Sequence, residues 1–312
     1  DLLYYGCYMV LGVLGGNIFN FLRLRKYIHR ENIIFSELHI KRHIKPVLKV
    51  FSFSVVTSIY LQLNTVLLGF FKNALAVGYF TAATKVMQML LQMSSCLGSV
   101  MMPRASHLLA ENKESEFNNL IQKSYDFTLA IAMPITIGLI FCAHSLITTL
   151  CGVKFANSIL PSQIIAPIIL MVSIANVFGI QVLFPKGKIN IVTLSCGIGA
   201  IVALVLNLSL TPLFSYIGTA VAYLGAEVTT TVSMYYVGRK YIPIQYFKQS
   251  HLNYLLGCAI MALVLFAISR FQLPSFYEIV LQGCCGVIVY FLILCLRKDS
   301  ILMQLFAKMS KC

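Results

Sequence analysis

One apolar segment of the sequence carries a stripe of polar side chains. In an α-helix, side chains spaced by three and four residues lie on one face. The residues with this spacing are Thr81, Lys85, Gln88, Gln92, Ser95 and Ser99. A lysine in hydrocarbon is costly, so this face must contact protein or water. The stripe predicts either a hydrophilic cavity where Lys85 binds an anionic group, or a buried contact between helices with Lys85 reaching the membrane surface.

A single carboxylate occupies a comparable position in a later apolar segment. Glu227 precedes the run Val228 to Ser233, which holds three threonines and a serine. An ionisable group inside a membrane segment is a candidate functional site, here for a coupling ion. A structural role fits equally well, because the neighbouring hydroxyls provide hydrogen bonds within the helix bundle.

Neutral polar side chains mark three further apolar segments. Tyr60 and Asn64 share one helical face, and Gln62 lies on another, so this helix is predicted to lie inside a bundle. Asn176 and Asn207 add amide groups to two later segments. Such groups suit the hydroxyls of a sugar and also suit association between helices.

These residues fall within nine apolar stretches, each close to the roughly 20 residues that a helix needs to cross a bilayer. The hydrophobic fraction is 59% and the charged fraction only 11%, whereas about a quarter of the residues in a soluble domain are charged. The sequence therefore predicts an all-α, polytopic membrane helix bundle. The stretches are Leu2 to Phe21, Val50 to Phe71, Val77 to Met102, Phe127 to Ile147, Ile164 to Phe184, Ile191 to Leu213, Gly218 to Val237, Leu252 to Ser269 and Tyr277 to Leu296.

The basic residues predict the orientation of the helices. Twenty of the 24 Lys and Arg residues lie in alternate gaps: Arg23 to Lys49, Arg104 to Lys123, Lys186 to Lys188, Arg239 to Lys248 and Arg297 to Lys311. Basic loops are retained in the cytoplasm, so these gaps and the C-terminus are predicted to be cytoplasmic and Asp1 to lie outside. The net charge of +14 then reflects topology and anionic lipid headgroups rather than nucleic acid.

The remaining patterns do not indicate an enzyme, a metal site or a cofactor. The six histidines are scattered without metal-ligand spacing, and no nucleophile has a general base beside it in sequence. The ten cysteines form no C-x-x-C pair and lie mostly in apolar stretches, where they act as small apolar residues. The predicted outward loops are too short for an external catalytic domain.

Two blocks of the sequence resemble the Wzx-type oligosaccharide flippases, which export O-antigen and capsule repeat units. The first block runs from Ile59 to Gln88 and continues to Pro103, and the second is LNLSLTPLFSYIGTAVAYLGAE. One departure is Asn64, where many relatives have Asp, so the resemblance carries no cation or proton role to that position. The matching residues are Tyr60, Asn64, Leu68, Gly69, Val77, Gly78, Tyr79, Ala82, Ala83, Lys85, Pro103, Asn207, Pro212, Gly218, Ala220, Ala222 and Glu227.

The resemblance implies one complete lobe of a two-lobed exporter, with flanking helices. On that pattern residues 1–22 are the last helix of an N-terminal lobe and residues 23–49 are a basic cytoplasmic linker. Residues 50–238 are the C-terminal six-helix lobe. Residues 239–312 are two additional C-terminal helices and a cytoplasmic tail. The chain is then expected to be the C-terminal part of a longer exporter.

The activity implied by the resemblance is translocation of undecaprenyl-diphosphate-linked oligosaccharide across the bacterial cytoplasmic (inner) membrane by alternating access. Lys85 would pair with the diphosphate, and Glu227 would be the site of a coupling ion, H⁺ or Na⁺. The implied partners are the lipid-linked oligosaccharide, membrane lipids and the polysaccharide polymerase machinery. The residues expected to line the substrate path are Lys85, Gln88, Gln92, Tyr60, Gln62, Asn64 and Asn176.

Three alternatives stay open at the level of sequence. The first is an exporter of drugs or of another lipid-linked substrate from the same multidrug/oligosaccharidyl-lipid/polysaccharide exporter superfamily. The second is an inactive truncated product, because one lobe cannot form a two-lobed cavity. The third and least favoured is a membrane polymerase, which the short outward loops argue against.

Overall fold

The computed structural model describes residues 2–25, 40–246, 248–271 and 273–297, and these residues are almost entirely helical. This agrees with the predicted all-α membrane bundle. The expected cytoplasmic linker, residues 23–49, lies partly outside the described residues, and the expected cytoplasmic tail lies almost entirely outside them. The helices are α1 (Leu2–Arg25), α2 (Ile40–Phe71), α3 (Ala74–Ala110), α4 (Glu114–Leu150), α5 (Ile159–Ile165), α6 (Pro167–Asn176), α7 (Ile189–Gly238), α8 (Gln249–Ser269) and α9 (Ser275–Leu296).

The chain divides into two compact units, Asp1–Leu48 and Lys49–Cys312. In the first unit, α1 is exposed wherever its side chains are described, and its apolar side chains suit contact with lipid. The second unit holds the remainder of α2 and all of α3 to α9, together with the buried core.

The longest helix, α7, contains two of the predicted membrane spans. Its 50 residues correspond to about 75 Å, more than twice the ~30 Å hydrocarbon core. Ser215 breaks the helix with a non-helical φ of 54° and ψ of −135°. The two halves then run back along each other and pack closely. A Cβ on Gly199 would overlap the Thr230 hydroxyl, and one on Gly218 would overlap the Leu210 carbonyl.

A second predicted span, Ile164 to Phe184, is bent in the structure. Pro167 opens α6 directly after α5, and its missing N–H cannot continue the hydrogen bonding of the preceding helix. The segments Val153–Ile165 and Pro167–Leu183 meet at 47°. Seven described helices are long and apolar enough to cross a membrane, or eight spans if this pair counts as one. The expected count of nine is therefore approximate, with α7 supplying two of the predicted spans.

The core of the second unit surrounds α4, which packs against α3, α5, α6, α8 and α9. One cluster of buried side chains joins α4 to α8 and α9 through Leu129, Met261 and Tyr290. Another joins α2, α3, α4 and α7 through residues such as Leu68 and Leu139. This packing fixes α3 against the bundle and determines which of its faces remains exposed.

Candidate functional site

Lys85 lies near the middle of a membrane-spanning segment. It follows the first residue of α3, Ala74, by 11 residues, or about 16 Å along the helix axis, within the apolar span Ala74–Ser95. Its side chain is exposed. Within the described ranges it has no ion pair and no hydrogen bond. A charged side chain at this depth costs about 2.5–3.5 kcal/mol on insertion scales unless water or a partner solvates it.

Two amides share the exposed side of α3 with Lys85. Gln88 and Gln92 are both exposed, and neither has a hydrogen-bond partner among the described residues. We call Lys85, Gln88 and Gln92 the polar face. Because lipid cannot hydrogen-bond an amide, the polar face must contact water, a substrate or protein. Gln62 on α2 is likewise exposed in the middle of its span.

The stripe predicted on α3 divides into an exposed part and a packed part. Beyond Gln92 the stripe packs against α6, where the Asn176 amide donates to the Ser95 hydroxyl at 3.3 Å. The neighbouring hydroxyls of Ser94 and Ser173 are 2.7 Å apart. The predicted contact between helices thus applies to the stretch at Ser95, and the predicted cavity lining stays the interpretation for the exposed stretch from Lys85 to Gln92. The side chain of Ser99 is outside the described set.

A π-helical segment, Val177–Leu183, continues α6 past Asn176. Its Gln181 side chain accepts a hydrogen bond from the Ser124 hydroxyl of α4 at 2.6 Å. A Cβ on Gly98 of α3 would lie 3.3 Å from the Gln181 amide nitrogen. Short π segments often occur at functional sites, and this one joins α3, α4 and α6 next to the packed part of the stripe, where Asn176 bonds Ser95.

Asn64 and Asn207 form a buried hydrogen-bond network between α2 and α7. The Asn207 amide donates to the Asn64 side-chain carbonyl at 2.8 Å and to the Ala203 carbonyl at 2.8 Å. Thr211 donates to the Asn207 side-chain oxygen at 2.9 Å, and its hydroxyl is 3.0 Å from that of Thr219. Asn64 is 2% exposed, so the structure places this candidate inside the bundle rather than on the polar face.

Glu227 lies midway along the second half of α7 and is 5% exposed. The phenol of Tyr60 faces the Glu227 carboxyl and the Thr230 hydroxyl, without a hydrogen bond of regular geometry at the Tyr60 oxygen. Ala203 and Ala226 complete the packing around Tyr60. No cation pairs with Glu227 among the described residues, so the site holds one acid among hydroxyls.

An apolar groove of about 400 Å³ lies between α4 and the α8–α9 pair. Pro134 and Gly138 of α4, Met261 of α8 and Gly286 of α9 contribute to its lining. Its lining includes the polar residues Gln282 and Tyr290, and the Gln282 amide donates to the buried Glu278 carboxyl at 3.1 Å. The groove lies within the spans, and its chemistry suits a hydrocarbon chain.

The sequence did not single out several residues of these networks. Thr211, Thr219 and Ser173 all act as hydrogen-bond partners of predicted or neighbouring polar residues. A signal was present in the spacing of Asn207 and Thr211, which are four apart and therefore neighbours on a helix. The partner on the other helix gives no such signal, since Asn64 is 143 residues away from Asn207.

The chain is similar in sequence to one known protein family and to two curated proteins. A family profile described as "Polysaccharide biosynthesis protein" matches residues 5–160. A curated protein of Escherichia coli (strain K12), named "Putative O-antigen transporter", is 27% identical over 199 residues, covering 63% of this chain and 47% of the relative. A protein of the same name from Shigella dysenteriae is 26% identical over 227 residues, covering 72% of this chain and 56% of the relative.

The solved structure of "Lipid II flippase MurJ, inward closed conformation" superposes with a TM-score of 0.73 at 18% identity. The match covers 93% of this chain and 62% of that one. At this identity the likeness shows the fold alone. The chain spans about half the length of the curated relatives it matches.

Proposed function

The chain belongs to the polysaccharide biosynthesis protein family, and from this premise we propose that it carries a lipid-linked oligosaccharide from the inner to the outer leaflet of the bacterial cytoplasmic membrane. Such a substrate has a polyprenyl chain, a diphosphate and an oligosaccharide. The two polar parts cannot cross hydrocarbon unaided, because nothing in the bilayer core replaces their hydration.

The observation that carries the proposal is the polar face. Lys85, Gln88 and Gln92 are exposed at membrane depth and have no partner among the described residues. A surface of this composition is stable in a membrane where it lines a hydrated path or contacts a polar ligand or another protein surface. A structural stripe would be closed by hydrogen bonds, as it is at Ser95 and Asn176.

Each part of the substrate has a matching surface on the chain. The Lys85 ammonium pairs with the diphosphate, since a cation is the strongest available donor to phosphate oxygens. Gln88, Gln92 and Gln62 hydrogen-bond sugar hydroxyls. The polyprenyl chain stays in the lipid and in the apolar groove beside α4.

In the two-lobed exporter fold the polar face is one wall of a central cavity. Alternating access then requires the second wall to move against it while α3 stays fixed in its own lobe by the buried core around α4. The positive-inside rule predicts that Lys186, Lys188 and Lys248 lie on the cytoplasmic side. On this orientation the substrate enters the cavity from the cytoplasmic leaflet and leaves on the opposite side.

Glu227 is the proposed site of the coupling ion, and the ion is a proton. A metal cation needs several oxygen ligands at once, as hard cations do in general, whereas a proton needs only one carboxylate. The groups around Glu227 include the Tyr60 and Tyr223 phenols, the Thr230 hydroxyl and the Cys196 thiol, and no second carboxylate is among the described groups there. Protonation changes the charge at the contact between α2 and α7.

Leaflet transfer in liposomes tests the proposed function. The purified protein is reconstituted with a fluorescent polyprenyl-diphosphate oligosaccharide, and an impermeant quencher reports how much of the label lies in the outer leaflet. The expected result is transfer that depends on the protein and is unaffected by hydrophobic cations. Transport of a cationic dye without transfer of the lipid-linked sugar would establish the multidrug alternative instead.

A further inference from the structure

A buried carboxylate near the start of α4 joins that helix to the start of α8. Asp126 is 9% exposed. Its Oδ1 accepts from the Gln122 amide at 2.7 Å and lies 3.0 Å from His251 Nε2. Its Oδ2 accepts from Lys248 Nζ at 3.0 Å. The other ring nitrogen, His251 Nδ1, lies 2.7 Å from the Tyr246 carbonyl oxygen. We call these five residues the α4–α8 cluster.

The partners of His251 decide which form of the ring satisfies both of its nitrogens. The Tyr246 carbonyl can only accept a hydrogen bond. The Asp126 carboxylate is also an acceptor, because Lys248 and Gln122 donate to its two oxygens. Both ring nitrogens of His251 therefore face acceptors, and only the imidazolium carries a hydrogen on each of them. A neutral ring satisfies just one of the two contacts.

The charged and titratable groups facing the ring come from both sides of the contact. Asp126 and Tyr125 belong to α4, and the Tyr125 ring centre is 5.8 Å from that of His251. Tyr246 and Lys248 precede α8, and Tyr254 lies on α8 itself, 6.0 Å away. Lys248 and the positive end of the α8 dipole oppose the imidazolium. Asp126 is the acid among these described groups, and its carboxylate favours the imidazolium form of His251.

The cluster lies at one end of a long interface that is otherwise apolar. Beyond His251, α8 packs on α4 and α9 through Cys258, Met261 and Leu265. Tyr290 of α9 donates to the Ala130 carbonyl of α4 at 2.8 Å. Since Met261 and Leu265 also line the apolar groove, the seating of α8 sets the width of that groove.

We propose that the α4–α8 cluster is a proton-dependent latch. With His251 protonated, one ring nitrogen donates to Asp126 of α4. The other donates to the Tyr246 carbonyl, in a segment whose neighbouring residue Gln245 is hydrogen-bonded through its backbone to Gln122 of α4. When His251 loses its proton, one of these two hydrogen bonds is lost and α8 separates from α4 more readily, which opens the groove. The consequence of this opening for the substrate lipid rests on the proposed function, whereas the latch itself does not.

The buried thiol of Cys258 provides a direct test. It is 6% exposed in the α8 interface, and Cys151, half-buried in the turn after α4, serves as an internal reference. The intact protein in detergent is treated with N-ethylmaleimide, and mass spectrometry gives the ratio of Cys258 to Cys151 modification. Imidazole ordinarily titrates near pH 6.5, so the series runs from about pH 6 to about pH 8.5. The expected ratio rises on the order of tenfold across the series.

Two variants and one control distinguish proton-dependent opening at His251 from a general loosening of the helix bundle. His251→Gln and Asp126→Asn should each give a high ratio of Cys258 modification to reference-thiol modification, and this ratio should no longer depend on pH. Glu111→Gln removes an exposed acid that pairs with Lys113 at 2.9 Å, and it should behave as the unmodified protein. A ratio that is flat with pH, or a rise of both thiols together, would overturn the proposal. The labelling needs no substrate, so this result is independent of any transport assay.

Discussion

The side-chain amide of Asn207 donates a hydrogen bond to the side-chain carbonyl of Asn64 across 2.8 Å, which ties α2 to the first half of α7. Asn207 is fully buried and Asn64 nearly so. Thr211 and Thr219 extend the network across the break at Ser215 to the second half of α7. Three helical segments are therefore joined by neutral groups that satisfy one another inside the membrane layer.

Replacing either asparagine by alanine is expected to destabilise the protein. Asn64→Ala removes one hydrogen bond, whereas Asn207→Ala removes the bonds to Asn64, Ala203 and Thr211 and should cost more. In a double-mutant cycle of thermal unfolding in detergent, the coupling energy should be about 0.6 kcal/mol and at most ~1.7 kcal/mol. Additive single effects would show that the two side chains do not interact.

Gly199 is expected to accept no larger side chain. A Cβ there would overlap the Thr230 hydroxyl and lie 3.3 Å from the Ala226 carbonyl. Gly199→Ala should therefore lower the free energy of unfolding by about 1–3 kcal/mol, as overpacking does. Removal of the hydroxyl in a Gly199→Ala, Thr230→Ala variant should restore part of that loss.

Gly197 provides the matched control for this experiment. It lies on the same half of α7, and a Cβ there has no neighbour within 4 Å. Gly197→Ala should leave the unfolding midpoint unchanged or raise it slightly, because alanine favours the helix. Equal effects of the two substitutions would contradict the close packing of the two halves of α7.

Glu227→Gln is expected to uncouple transport from the proton gradient. Glutamine keeps the size of the side chain but carries no titratable proton, so the contact between Tyr60 and α7 no longer changes charge. Substrate transfer in liposomes should lose its acceleration by an imposed pH difference. Glu278→Gln, at another buried acid of the described spans, which is hydrogen-bonded to Gln282, should keep it.

The polar face is expected to be accessible to water. A cysteine placed at Gln88 or Gln92 should react with a hydrophilic thiol reagent, and the lipid-linked oligosaccharide should protect it. Val205 on α7 is 58% exposed among apolar neighbours that include Ile201 and Leu208, so Val205→Cys should react far more slowly. Equal reactivity at Gln92 and Val205, measured by mass spectrometry, would place the polar face in the same environment as the lipid-facing surface.

Hydropathy located the membrane helices well, because a segment that must cross hydrocarbon needs a long apolar run whatever its neighbours are. One break was predicted as well, since Ser215 falls in the gap between the predicted spans that end at Leu213 and begin at Gly218. The π segment after Asn176 was not, because it has no distinctive composition. Turns of this kind depend on how neighbouring helices pack.

The helical period also identified which residues share a face, and it grouped Lys85, Gln88 and Gln92 as the structure has them. It could not show where the stripe becomes buried, since that depends on Ser173 and Asn176 in another helix. The contact between Asp126 and His251 could not be predicted for the same reason, because the two residues are 125 positions apart in the sequence. Pairing across helices is decided by packing, which one sequence does not reveal.

The role of Lys85 is the central claim, and the transfer rate of Lys85→Ala tests it most directly. The unmodified protein is compared with Lys85→Ala, Lys85→Arg and Lys72→Ala. Lys72 is an exposed lysine in the turn between α2 and α3. We expect Lys85→Ala to slow transfer of the lipid-linked oligosaccharide by about tenfold or more, because a hydrogen bond to a charged group contributes about 1.5–3 kcal/mol. Lys85→Arg should retain most of the rate and Lys72→Ala all of it. A normal rate in Lys85→Ala would contradict the account.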